Sequence, residues 1–134
     1  MFTSEFMTKF QTLWNQDETI PSTLKSINFS ANVGYGIKRE DQPKTVLIIK
    51  EGSVVDAKVY EGEELDWDIR CSEDNWKHYM VKGMGMSQLA SGYAMGWLKF
   101  IKGDYFSMIK NPRMIGPFIK SFELMSKVYT ELNQ

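Results

Sequence analysis

Apolar side chains recur with two different periods along the chain, and the changes of period divide it into elements. Over residues 4–15 the spacing of Phe6, Phe10, Leu13 and Trp14 makes one helical stripe, with Glu5, Thr8, Lys9 and Thr12 falling elsewhere. Thr3 or Ser4 is placed to cap that helix. From about Ser26 the period becomes two: Phe29, Ala31, Val33, Tyr35 and Ile37 share one side of a strand. A break at 39–44 containing Pro43 precedes a second strand, Thr45–Lys50, which is apolar on both faces and so reads as central in a sheet. Glu51-Gly52 reads as a tight hairpin turn into a third strand, Ser53–Tyr60. In a fourth, Leu65–Cys71, Leu65, Trp67, Ile69 and Cys71 face one way, and Asp66, Asp68 and Arg70 face the other.

Ser72 then caps a helix with acids in its first turn and Trp76, Tyr79 and Met80 on its inner stripe; Gly83 and Gly85 end it. A short helix is expected over Met86–Ala90, a fifth strand over Gly92–Lys102, and a short helix capped by Asp104. Asn111-Pro112 opens the final segment, which Gly116-Pro117 is expected to divide. The pattern from Pro117 to Leu132 is strongly helical, with Phe118, Phe122, Met125 and Tyr129 on one stripe. The sum is an α+β chain with five strands in one sheet and helices covering one face. No repeat or linker divides it, so one domain is expected over residues 1–134.

Composition adds constraints. Sixteen basic and seventeen acidic side chains give a net charge of −1, without the basic excess that marks general nucleic-acid binding. No apolar run approaches the roughly 20 residues of a membrane span, so no stable membrane insertion is expected. The opening residues lack the pattern of a signal peptide and the end is not a Ser-Lys-Leu address. With one cysteine, Cys71, an internal disulfide is impossible, and the expectation is a cytoplasmic protein.

Groups for bond chemistry are sparse. The single histidine, His78, lies opposite Trp76 on its helix and is expected to face solvent. No serine sits in a nucleophile elbow, no phosphate-loop glycine spacing occurs, and one histidine with one cysteine makes no metal constellation. Asp66 and Asp68 share a strand face at a spacing near that of paired glycosidase carboxylates, but the polar face of a half-buried strand is their ordinary explanation. Neither cofactor nor metal is expected. Methionine, in contrast, occurs nine times, seven of them between Met80 and Met125, and such flexible side chains suit both soft cores and adaptable apolar sites.

The segment Gly92-Tyr93-Ala94-Met95-Gly96-Trp97-Leu98-Lys99-Phe100-Ile101-Lys102-Gly103-Asp104 resembles the last strand of sterol carrier protein type 2 domains and the Lys-Gly-Asp that follows it. Asp68–Trp76 resembles that family's preceding strand, serine cap and acidic helix start, and residues 65–128 carry most of the resemblance. Trp97 and Phe100 depart from the family's alternation. The resemblance implies a five-stranded mixed sheet with helices packed on one face, and a non-catalytic domain holding a sterol, fatty acid, acyl-CoA or other lipid in a tunnel between sheet and helices. Its expected lining is Trp76, Met80, Met95, Met114, Ile115, Phe118, Phe122 and Met125, each of which could equally fill a core. The expected partner is an apolar small molecule, with no nucleic acid and with room for a homodimer. Two other readings stand beside it: a small α+β enzyme resembling ketosteroid isomerases, and a protein-interaction module with an apolar groove.

Overall fold

A computed structural model describes residues 1–134. The elements run α1 (Ser4–Gln16), α2 (Ile20–Ser26), β1 (Ala31–Ile37), β2 (Thr45–Lys50), β3 (Ser53–Val59), β4 (Trp67–Cys71), α3 (Glu73–Lys82), α4 (Met86–Met95), β5 (Lys99–Lys102), α5 (Tyr105–Lys110) and α6 (Pro112–Leu132). The five strands form one mixed sheet in the order β3-β2-β1-β4-β5. Only β1 and β4 pair in parallel; the β1–β2, β2–β3 and β4–β5 pairs are antiparallel. The expected fold class is the observed one.

Local chemistry sets most boundaries where the pattern places them. The Thr3 hydroxyl accepts from the Phe6 amide at 3.1 Å, and the Ser72 hydroxyl from the Asn75 amide at 3.1 Å, so both helices start on side-chain caps. Glu51 and Gly52 both take positive φ, 46° and 86°, as a two-residue hairpin turn requires. The Asp104 carboxylate accepts from the amides of Phe106 and Ser107 and from the Ser107 hydroxyl, starting α5.

Three expectations need correction. Residues 92–102 are not one strand: α4 runs on to Met95, Gly96 ends it in the left-handed region at φ 75°, and the strand is only Lys99–Lys102. The final helix is not divided at Gly116-Pro117. Pro117 lies inside a continuous Pro112–Leu132 helix, where the carbonyl it leaves without a partner belongs to exposed Arg113 in the first turn, open to water. Finally, a helix stands at 20–26 where none was expected, begun by Pro21 and by Asp17, whose carboxylate accepts from the Ile20 amide at 2.9 Å.

The sheet has two unlike faces. Ala31, Val33, Tyr35, Leu47, Ile49, Ile69 and Cys71 face the helices and join Phe6, Phe10, Trp14, Trp76, Phe122 and Met125 in one core. The opposite face carries Gly34 and Gly36 beside Asp68 and Arg70, and the 38–44 loop closes it. Pro43 packs so near both glycines that a Cβ at Gly36 would stand 2.7 Å from its Cα. There Arg70 holds Asp68 through two parallel bonds of 2.6 and 2.9 Å and donates to the carbonyl of Glu40 at 2.9 Å. The expected polar strand face is therefore a second buried layer, with Asp68 and Arg70 only 5 % and 3 % exposed.

Candidate functional site

The helix-covered face of the sheet holds an apolar crevice. Its floor is Val33 and Tyr35 of β1, Ile49 of β2, and Trp67 and Ile69 of β4. Trp14 of α1, Leu24 of α2 and Phe29 also line it. The roof comes from Met108 of α5 and from Met114, Pro117, Phe118 and Ser121 of α6. Those four α6 positions are spaced i, i+3, i+4 and i+7, so one stripe of a continuous helix supplies most of the roof. Phe29, Trp67, Met114 and Phe118 are half-buried and form the rim. Counting its open mouth, the crevice encloses about 450 Å³ of atom-free space, but its room for water-sized guests is only about 40 Å³. That room would hold a few water molecules, not an acyl chain.

Eleven of the thirteen lining residues are hydrophobic. The Ser121 hydroxyl is turned back on its own helix, donating to the Phe118 carbonyl at 2.6 Å. Burial pushes the Tyr35 phenol far above its usual range, so it stays neutral. Carboxylate, imidazole, thiol and amine are all missing from the lining. What the crevice can offer a guest is dispersion contact, exclusion of water and at most a hydroxyl.

Of the residues the sequence singles out, Met114 and Phe118 stand in this lining. Trp76, Met80, Phe122 and Met125 are 1 % exposed or less and form the packed layer between α3 and α6. Trp76 stacks on Phe122 at 6.0 Å and donates its indole N–H to the Gly36 carbonyl at 2.8 Å, and Phe122 meets Phe118 at 5.1 Å. That layer backs the roof without touching the crevice. Ile115 is half-buried beside the core, and Met95 is 64 % exposed at the end of α4. His78 is exposed and lines a polar groove between α3 and α4 with Asp74, Gln88 and Trp97. Asp66 and Asp68, on opposite duties, do not form a pair: Asp66 accepts from the Asn32 amide at 2.8 Å, while Arg70 takes Asp68.

Sequence reasoning missed most of the floor and part of the roof as site residues. Val33, Tyr35, Trp67 and Ile69 were legible as inward-facing strand positions, but nothing in the alternation told which of them a helix would leave partly uncovered. The 114/117/118/121 stripe becomes visible once the helix is read from Pro112.

Gly103 shapes the rim. Its φ of 101° lies where side chains are disfavoured, and a Cβ there would overlap the indole ring of Trp67. The Lys-Gly-Asp sequence thus ends β5, begins α5 and lets Trp67 lie against the turn.

This architecture matches solved structures over nearly its whole length. A crystal structure of sterol carrier protein 2 superposes with a TM-score of 0.74 at 17 % identity, covering 94 % of this chain and 97 % of that one. The fold is that of sterol carrier protein 2. A Thermus thermophilus protein described as a candidate sterol carrier protein matches at TM-score 0.66 and 18 % identity, over 98 % of this chain and 88 % of its own. An SCP2-type ubiquinone synthesis protein matches at 0.59 and 13 %, over 89 % and 86 %. No family model matches the sequence, and no curated protein sequence is significantly similar to it. No helix of the sterol-carrier-like fold here is long and apolar enough to cross a membrane.

Proposed function

We propose that this chain binds the apolar part of a lipid, an acyl chain or a sterol-like ring system, in the crevice between the sheet and α6, without making or breaking bonds in it. The observation that carries the reading is the lining itself: eleven of thirteen residues hydrophobic, drawn from strands, helices and loops that converge under one roof. A lipid needs more than the free 40 Å³, so the roof has to give. Its contributors are suited to that, because Met108 and Met114 are unbranched side chains that change rotamer at small cost. The likeness to sterol carrier protein 2 and to a ubiquinone synthesis protein supports an apolar ligand without choosing among lipids. The setting we propose is the cytoplasm, where the buried thiol of Cys71 stays reduced.

Lipid-stripped protein titrated with a fluorescent fatty acid or sterol analogue tests this. Saturable binding at micromolar affinity or better, reversed by long-chain lipids, is the expected result. Titrations that never saturate, for any lipid class, overturn it. Mass spectrometry of an organic extract of the purified protein identifies the natural ligand.

A further inference from the structure

Basic and exposed apolar side chains are concentrated in one stretch of the chain, from the end of α4 to the start of α6. Residues 92–116 hold four basic side chains, Lys99, Lys102, Lys110 and Arg113, and one acid, Asp104, a net of +3. The whole chain carries −1, so everything outside this segment sums to −4. None of the four basic side chains lies within 4.0 Å of a carboxylate, whereas six of the chain's other basic side chains do: Lys9, Lys44, Lys58, Arg70, Lys120 and Lys127. The lone acid, Asp104, is spent on capping α5. The same segment supplies four of the nine large hydrophobic side chains exposed anywhere on the protein: Met95, Trp97, Ile101 and Phe106, the last 54 % exposed.

We propose that the corner formed by the end of α4, β5 and α5 docks on an anionic lipid membrane. Phe106 enters the interface and Lys102, Lys110 and Arg113 meet the headgroups. Lys110 stands one turn from Phe106 on the exposed face of α5, so a cation and an aromatic ring present themselves together. Cations without a carboxylate partner, though Lys102 donates to the Leu65 carbonyl at 3.3 Å, together with large exposed apolar side chains fit the boundary between headgroup and acyl chain. A second copy meeting it corner to corner would bring an equal positive charge and be repelled. The corner also adjoins the crevice. Phe106 touches Tyr93 and Tyr105 at 5.6 and 5.4 Å, Tyr105 touches Phe100 at 5.5 Å, and Phe100 meets the rim residues Phe118 and Trp67, each at 6.1 Å. Docking there would set the crevice rim against the bilayer.

The assay is flotation with vesicles of phosphatidylcholine alone or with roughly 30 % phosphatidylserine, whose surface attracts basic side chains by about five-fold in partitioning each. The protein is expected to float with the anionic vesicles and to be released by salt. Lys110→Gln with Arg113→Gln is expected to weaken partitioning about 30-fold, and the matched pair Lys25→Gln with Lys50→Gln to change it less than about two-fold. Phe106→Ser is expected to weaken it by about five- to ten-fold with melting unchanged. Three results overturn the inference: no binding to anionic vesicles, equal losses from the two charge pairs, or equal affinity for a single-stranded oligonucleotide that Phe106→Ser leaves intact. The inference does not rest on the crevice holding a lipid; fatty-acid titration of the same variants keeps the two separable.

Discussion

Two tryptophan substitutions on α6 separate the crevice from the core behind it. Met125 is fully buried in the layer with Trp76, Met80 and Phe122, and Met114 is half-buried in the crevice roof, about three turns away. An indole at Met125 has no space to enter, so neighbours must leave their rotamers, at a cost of about 1–3 kcal/mol. With an unfolding entropy of about 2.1 cal/mol/K per residue, 134 residues give roughly 0.28 kcal/mol/K, so each kcal/mol lowers Tm by about 3.5 °C. Met125→Trp should therefore melt about 4–11 °C below the parent while leaving fatty-acid affinity within about two-fold. At Met114 the indole lies over the crevice mouth. Met114→Trp should keep Tm within about 2 °C and lose about ten-fold or more in fatty-acid affinity. Calorimetry and fluorescence titration on lipid-stripped protein read both. Normal melting with lost binding in Met125→Trp, and normal binding in Met114→Trp, would place the ligand under the second half of α6 and refute the crevice.

Gly103→Ala should displace the Trp67 ring from the rim, weakening fatty-acid binding and quenching or shifting indole fluorescence; unchanged binding and emission would show that the turn does not hold Trp67 in place. Asp68→Ala leaves Arg70 charged and buried, which should cost about 3–5 kcal/mol by urea unfolding, whereas a loss below about 1 kcal/mol would mean that water reaches the guanidinium. Burial opposes the charge on Asp17, but bonds from the Ile20 and Thr19 amides, the Thr19 hydroxyl and nearby Lys120 outweigh it and hold the carboxyl below its ordinary range. Its contribution is thus complete above the ordinary carboxylate pKa and lost as pH falls through the lowered one; the stability difference between parent and Asp17→Asn should narrow on acidification through that window and stay flat from there to neutrality. His78→Ala, on the outer groove, should leave fatty-acid affinity unchanged.

What the sequence conveyed well was whatever a period or a cap encodes locally. The stripe of α1, the alternation of β1 and β4, the turn at Glu51-Gly52 and the caps at Ser72 and Asp104 all depend on neighbours within a few residues, and all stand as read. The failures had non-local or competing causes. Gly92 looked like the start of a strand, but its missing side chain serves α4, where a Cβ would collide with the Tyr79 hydroxyl. The seven-residue α2 is too short to show a stripe, and its start rests on Asp17 reaching forward to Ile20. Pro117 looked like a breaker because proline inside a helix usually is one; near the first turn the lost bond falls on an exposed carbonyl. The candidate site was half legible for the same reason. Inward-facing residues could be named, yet which of them meet a partner and which border free space depends on how α6 crosses the sheet.

The polar alternation in β4 shows how one sequence pattern can serve two structures. Asp66, Asp68 and Arg70 read as a wetted face, and a sheet with one wetted face would float its crevice floor on solvent. Instead Gly34 and Gly36, opposite Asp68 and Arg70 in the parallel register, leave room for Pro43 and the guanidinium. The two absences of side chain in β1 and the two charges in β4 are one device: small residues admit the loop, and Arg70 ties it down through the Glu40 carbonyl. The floor of the crevice is thus pinned from behind by bonds between buried charged groups, while its roof rests on methionines and a phenylalanine at a half-open rim. Any widening to admit a lipid falls on the side of α5 and α6, because separating the roof breaks dispersion contacts one at a time, and deforming the floor would expose a buried ion pair without its partner.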